Sequence, residues 1–327
     1  MEKVFVAEIG NVTTVVNAFG DLRTEQARLL GQGRAATLTA EDVRTALEAA
    51  LKDLQAQMGP VEPLGEIPLY ATSSIAPVIS DQGRGTLEKL IKGKIWPAQE
   101  AVMTVAKLVY EEAGAVVVLD MGGGATAVHS VLPGSAPSQG DGVSVLRHGM
   151  RKPPASAEQT IARDLGIYAN AKRLAELAGE GRIQLRYGDS WQELLQPIPS
   201  TAESVALSQE LIAVALREAY LRHCGRLRLA DSAMSQSPAE AEDFGHVRWV
   251  IGTGRALAEL PSGLQVLQEA LTQPDKSPTH GDRGLRLGEK TAFFLDRHGV
   301  MTSLGPLVAN YRRGAWQILV ESLGIET

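Results

Sequence analysis

Cys224 is the only cysteine among 327 residues, which excludes an intramolecular disulfide and a cysteine-based zinc site. In Ala219-Tyr-Leu-Arg-His-Cys-Gly it reads as a small buried hydrophobe at a helix end, not a nucleophile. The histidines, His129, His148, His223, His246, His280 and His298, never pair at metal-ligand spacing on one face, so no metal site is built from them. No apolar run approaches the ~18 residues of a membrane span, and Met1-Glu-Lys leads straight into a strand, so the expectation is a cytoplasmic chain without a signal peptide. Neither sign of charge dominates. Thirty-eight acids against 32 bases give a net charge of −6, which argues against nucleic-acid and membrane partners. Two sequence signatures are also missing. Without a Gly-x-Ser-x-Gly elbow or a Gly-x-x-x-x-Gly-Lys-Ser/Thr loop, a serine hydrolase and an ordinary P-loop enzyme are both disfavoured.

An acid-x-Gly-x-x-x-Thr pattern, by contrast, occurs twice, 112 residues apart. The first copy is Glu8, Gly10 and Thr14, and the second is Asp120, Gly122 and Thr126. Each follows an apolar run and leads into another β-rich run, which reads as strand, tight glycine turn, strand. Glycine admits positive φ and close backbone approach, so turn N–H groups can point at phosphate oxygens. The phosphate-facing residues are expected to be Gly10, Asn11, Thr13 and Thr14 in one turn and Gly122, Gly123, Gly124 and Thr126 in the other. A strand-end acid holds Mg²⁺ through water, which assigns Glu8 and Asp120 to the metal. The threonine hydroxyl is expected to add a donor on the same side. Ordinary hairpins with glycine turns are the plain alternative, and the duplication weighs against them.

A third loop, Val250-Ile-Gly-Thr-Gly-Arg-Ala-Leu257, runs from a strand through a glycine turn into a helix. Gly252, Thr253 and Gly254 there allow close backbone approach to the adenosine side of a nucleotide, near a helix N-terminus. Alone, it also fits a plain strand-to-helix connection.

Around these loops the spacing predicts two similar halves. Strands are expected at Val4–Ile9, Thr13–Phe19 and 27–37, a helix capped by Thr39 with its apolar face on Val43, Leu47, Ala50, Leu51, Leu54 and Met58, and a strand at 67–74. Helices near Thr86–Lys92 and Pro97–Ala113 close the first half. The second opens with strands at Val116–Met121, Ala125–Leu132 and Gly142–Arg147. Helices follow at Ser156–Leu165, Ile167–Ala178 and Ser200–His223, then a strand at Val247–Ile251 and helices near Ser262–Leu271 and Pro306–Leu323. Two related α/β domains facing each other across a cleft are the result, residues 1–114 and 115–305, with the C-terminal helix 306–327 packing back on the first.

The three loops together resemble the superfamily of ATPases that includes actin, the large heat-shock chaperones and the sugar kinases. That resemblance implies an α/β fold of duplicated actin-like ATPase (ribonuclease H-like) domains. Each is a mixed sheet with a β-meander plus helices, and the pair clamps ATP or ADP with Mg²⁺ in a central cleft. The stretches Ile95-Trp-Pro-Ala-Gln-Glu-Ala-Val-Met-Thr, Val117-Val-Leu-Asp-Met-Gly-Gly-Gly-Ala-Thr and Gln159-Thr-Ile-Ala-Arg-Asp-Leu-Gly-Ile-Tyr are similar to one family within it. This is the GlmL/MutL family, accessory proteins encoded beside coenzyme-B12-dependent glutamate mutase and ornithine aminomutase. It shares a name with a mismatch-repair protein that this sequence does not resemble.

The family implies a reactivating or assembly factor whose partners are adenosylcobalamin-dependent aminomutase subunits, with a homo-oligomer left open. It also places Asp120, Glu8 and Asp164 as the catalytic acids. Departures from its pattern matter here. Glu8 stands for the usual aspartate, Ala127 for a second aspartate, Ala162 for a glutamate, and Arg255 for a common glycine. A lost catalytic carboxylate removes about 10²–10⁴-fold of rate, so nucleotide binding with slow or absent hydrolysis is expected. A small-molecule kinase using Asp164 as base, and a structural subunit that binds no nucleotide, are the alternatives.

Overall fold

The computed structural model describes residues 2–37, 43–59, 67–74, 88, 91–134, 155–234, 244–272 and 287–326. Lys3–Ile9 (β1), Thr13–Gly20 (β2) and Arg28–Ala36 (β3) form an antiparallel meander, and Val43–Met58 (α1) crosses back over it. Leu69–Ser73 (β4) and Ile95–Pro97 (β5) then join in parallel, giving the sheet order β3-β2-β1-β4-β5. Ala98–Ala113 (α2) leads to a second meander of Val116–Met121 (β6), Thr126–Pro133 (β7) and Ala155–Ala162 (β8). Ala171–Ala178 (α3), Glu180–Tyr187 (α4) and Ala202–Met234 (α5) follow. Trp249–Thr253 (β9), Arg255–Ala258 (α6), Gly263–Thr272 (α7) and Ala292–Leu295 (β10) complete the second sheet, in the order β10-β9-β6-β7-β8. Met301–Leu304 (α8) and Val308–Leu323 (α9) end the chain. Counted from the first strand of each half, both sheets run 3-2-1-4-5.

Both first strands are buried on two faces, which is why they read as near-continuous apolar runs. Alternate residues face opposite sides. Phe5, Ala7 and Ile9 of β1 pack under α1 with Val43, Leu47, Ala50 and Leu54, while Val4 and Val6 face inward. There they meet Val116 and Val118 of β6, Val102, Val105 and Val109 of α2, and Leu304, Ala315 and Ile318 near the C-terminus. Val117, Leu119 and Met121 point outward to Leu211, Ala215 and Leu267 of α5 and α7. The layers are therefore helix, sheet, helices, sheet, helices, and each fully buried aliphatic side chain stabilises them by about 1.5–3 kcal/mol.

One close contact sets how α1 lies on its sheet. A Cβ on Gly33 of β3 would stand 1.9 Å from the Ala50 carbonyl oxygen, so the helix backbone rides directly on the strand. Gly33→Ala is expected to lower stability by about 2–4 kcal/mol, since backbone cannot yield as a side chain does. Urea melts that coincide with wild type would contradict this packing.

Several sequence expectations change. Ser156–Leu165, read as a helix, is instead the strand β8, paired antiparallel with β7 from Pro133↔Ala155 to Thr126↔Ala162. Its composition carries no 3.6-residue apolar stripe, and as an edge strand it is mostly half-exposed. The helix expected from Ile167 begins at Ala171, because Ile167, Tyr168 and Ala169 donate their N–H groups to Gly122 and Gly123 carbonyls. The strand expected at Gly142–Arg147, the cap at Thr39 and most of the helix near Thr86–Lys92 lie outside the described residues. Short elements with little periodic signal, β5, α4 and β10, escaped the sequence reading. Cys224 is buried, as expected, but inside α5 rather than at a helix end.

A candidate nucleotide cleft

The two glycine turns are built alike. Gly10 N–H donates to the Thr13 carbonyl at 3.1 Å, and Gly122 N–H to the Ala125 carbonyl at 2.9 Å. In each hairpin the residue before the glycine faces the motif threonine across the ladder, Ile9↔Thr14 and Met121↔Thr126. A Cβ at Gly10 would meet Thr13 O at 2.8 Å, and one at Gly122 would meet Ala125 O at 2.9 Å. Neither glycine has positive φ. Crowding by the turn's own carbonyl, not a left-handed backbone, is what demands glycine there. Of the glycines expected from sequence, Gly254 alone has positive φ, at 89°, and its Cβ position falls 2.4 Å from Met121 O and 2.6 Å from Asp120 Oδ1. The third loop is thus seated directly on the start of the second hairpin.

The hairpins meet tip to tip, with Asn11 against Gly124 and Val12 against Gly123. Below them opens a cleft of about 330 Å³, lined by Glu8, Gly10, Asn11, Thr13, Asp120, Gly122, Gly123, Gly124 and Gly254 among the residues expected from sequence. Polar bonds across the two halves frame it. Arg34 of β3 pairs with Glu259 at 2.6 Å, and Gln32 Nε2 donates to the His298 carbonyl at 2.8 Å.

Five expected site residues lie elsewhere. Thr14 is fully buried, with its hydroxyl 2.8 Å from that of Thr37, and Thr126 donates its hydroxyl to the Leu165 carbonyl at 2.6 Å. Both hydroxyls knit the hairpins internally instead of offering donors to the cleft. Thr253 is buried and donates to Asp296 Oδ2 at 2.8 Å, while Gly252 sits within β9, hemmed in by Leu257, Leu267 and Leu295. Asp164 is turned to the surface. Arg222 of α5 grips it bidentately at 2.7 and 3.0 Å and holds its carboxyl below the usual range. So placed, Asp164 is not among the residues that line the cleft.

The sequence reading missed four residues that shape the site. Asp296 is fully buried at the end of β10, where it accepts from Thr253, the Met301 N–H and the Ser322 hydroxyl. It ties the third loop to α8 and α9. Its only sequence signal is an acid closing a short apolar run, Ala292–Leu295. Gln99, Tyr168 and Arg255 line the cleft, the first two lying in the family-like stretches 95–104 and 159–168 with no role assigned to them there, and Arg255 noted only as a departure.

Electrostatics separates the two acids from ordinary surface carboxylates. Burial raises the Glu8 pKa, opposed by the Arg255 charge and by the Ser303 hydroxyl, which donates to Oε1 at 2.6 Å. Asp120 is pushed up to about 6, first by burial and then by the Glu8 charge, while a hydrogen bond from Gln99 pulls the other way. His129 is held neutral, near 3, by burial. A neutral ring that reaches Gln99 Oε1 at 3.1 Å does so as the Nε2–H donor, and this leaves the Gln99 amide to donate to Asp120. Among the described residues no three acids, histidines or cysteines could hold a metal ion together. Two carboxyls fit instead a hydrated divalent cation that keeps most of its water and arrives with a phosphate chain.

Two sheets of identical 3-2-1-4-5 order, each with an acid before its first glycine hairpin and both hairpins meeting over one cleft, make a duplicated actin-like ATPase (ribonuclease H-like) fold. The chain belongs to the MutL family, whose description, MutL protein, is matched by residues 75–323. The Protein MutL of Clostridium tetanomorphum is 23% identical over 267 residues, which cover 75% of this chain and 54% of that one. The chain thus spans about half the length of the curated relative it matches. Component A of (R)-2-hydroxyglutaryl-CoA dehydratase from Acidaminococcus fermentans is a weak structural likeness, with a TM-score of 0.46 and 14% identity over 96% of this chain and 100% of that one. The activator of 2-hydroxyisocaproyl-CoA dehydratase from Clostridium difficile, solved with bound ADPNP, has a TM-score of 0.43 and 11% identity over 99% and 98%. Among the described residues no helix is long and apolar enough to cross a membrane.

Proposed function

We propose that the chain binds ATP or ADP with Mg²⁺ in the cleft and acts as an accessory, chaperone-like protein for an adenosylcobalamin-dependent aminomutase. The observation that carries the nucleotide half is the pair of hairpins with the same internal backbone bond, presenting glycines to one cleft beside two acids. Backbone N–H groups of Gly10–Thr13 and Gly122–Gly124 would receive phosphate oxygens, and the carboxylates of Glu8 and Asp120 would hold the hydrated cation. When bound, that cation offsets phosphate charge. Asn17 and Ser303 fix Glu8 by hydrogen bonds at 3.1 and 2.6 Å, and Gln99 orients Asp120. Asp296 takes no cation in this scheme, since its oxygens are already engaged.

Hydrolysis is slow in this reading. Ala127, opposite Asp120 in the ladder, and Ala162 are buried methyl groups, and Asp164 is spent on Arg222. Among the described residues no third carboxylate lines the cleft to draw a proton from water. The same absence disfavours a kinase, which needs a base for its acceptor hydroxyl. The aminomutase half rests on family membership. Closure on nucleotide would shift the halves joined by Arg34–Glu259, and a partner with unequal affinity for the two shapes would respond.

Calorimetric titration with Mg·ATP is expected to give saturable heat below millimolar nucleotide, with phosphate release on the order of 10⁻³ s⁻¹ or slower, as in unassisted GTPases. No heat at millimolar nucleotide would sink the binding claim, and rapid phosphate release the slow-hydrolysis claim. Pull-down of aminomutase subunits with and without ATP tests the partner, and equal or absent capture in both arms counts against it.

A further inference from the structure

Arg255 enters the cleft from the first turn of α6 with an unusual deficit. Its Nε and Nη2 atoms are both buried and have no hydrogen-bond partner. These two nitrogens form one edge of the guanidinium, the side-on fork that matches a carboxylate or a phosphate with two parallel bonds. Its other nitrogen, Nη1, has an ion-pair partner, Glu259 at 3.7 Å, and Glu259 is held more closely by Arg34 at 2.6 Å. The guanidinium lies flat against Gly299, whose Cβ position would stand 3.5 Å from Cζ. A buried donor without an acceptor is costly, and for a charged group the penalty is larger still. An arrangement of this kind persists where a bound ligand offsets it.

We propose that Arg255 is a phosphate-binding residue whose fork takes phosphoryl oxygens of the nucleotide, so that nucleotide binding here survives removal of the divalent metal. The inference rests on the nucleotide reading above. The side chain keeps 23% of its surface exposed, so rotation about its outer torsions presents the fork to the cleft. Its fixed positive charge, on the same side as Glu8, does part of the charge compensation that otherwise falls to the cation. A lysine would supply the charge without the fork, and a methionine would keep length and volume without either.

The test is calorimetry with ATP in Mg²⁺ and in excess EDTA, on the whole chain and on Arg255→Met and Arg255→Lys. Wild type is expected to lose less than about tenfold in affinity in EDTA, and Arg255→Met about a hundredfold, one to two buried charge-assisted bonds. Arg255→Lys should fall between them. Thermal melting of Arg255→Met at or above wild type confirms that the fold is intact, since the change removes two unpaired donors. If it melts lower, Arg255→Lys against wild type in EDTA decides the matter. An EDTA penalty equal in wild type and variants overturns this inference while leaving the nucleotide reading standing. Absence of heat from wild type under both conditions overturns the two together.

Discussion

Gly254→Val is expected to abolish nucleotide binding, with a loss of at least about a hundredfold in affinity. Gly254 has φ 89° and ψ 144°, a region that essentially only glycine occupies and that costs other residues about 1–3 kcal/mol. Any side chain would also need the space of Met121 O and Asp120 Oδ1, at 2.4 and 2.6 Å. Both atoms belong to the start of the second hairpin. Relief of the clash therefore moves the third loop and Asp120 apart, and with them the floor of the cleft. Shifts near 1 Å at a binding site are enough for losses of this order. Calorimetry checks the affinity, and circular dichroism checks that both sheets remain. Binding within threefold of wild type would show that the third loop lies outside the site.

Asp120→Asn is expected to stabilise the nucleotide-free protein while weakening its hold on Mg·nucleotide. The carboxyl has its pKa raised from 3.8 to about 6, with burial the largest cause. Between those two values the folded state binds more protons than the unfolded state, so stability falls as pH rises through the window and stays low above it. The amide removes that penalty and still accepts from Gln99. At about 1.4 kcal/mol per pKa unit, discounted for partial solvent access and for coupling to Glu8, the gain is roughly 1–3 kcal/mol at pH 7.5. It should shrink as pH falls below about 6 and vanish near pH 3, below the unfolded value of 3.8, where the carboxyl is protonated in folded and unfolded states alike. Melting curves at pH 7.5 and near pH 3 decide it, and a gain that persists at the lower pH would rule out ionisation as its source. In the proposed cation role, loss of one of the two carboxylates should lower Mg·ATP affinity severalfold, within the limit of about tenfold expected for full removal of the metal. The wild-type site itself should bind Mg·ATP more weakly below pH 6 than above it, because Asp120 must give up its proton first.

The two predictions draw on different layers of information. Gly254 stands in a Gly-x-Gly loop after an apolar run, and Glu8 and Asp120 stand before glycines in duplicated turns. Strand alternation and turn chemistry act over a few neighbouring residues, so these features were legible in the chain. The meander of each half was legible for the same reason, except for β8, whose helix-like composition was overridden by pairing with β7. Asp164 misled because a retained Asp-Leu-Gly says nothing of Arg222, 58 residues further on, which claims the carboxylate.

Local chemistry in the sequence therefore established the two hairpins, their acids, the third loop and the family. Which side each hydroxyl and acid would face was decided by tertiary packing. Thr14 and Thr126 sit in strands buried on both faces, and only the partners above them, Thr37 and the Leu165 carbonyl, turn their hydroxyls away from the cleft. Glu8 is fixed by Ser303, 295 residues away, and Thr253 by Asp296. Contacts closed over such distances leave no periodic trace along the chain, since they exist only once both sheets and the helices between them have packed.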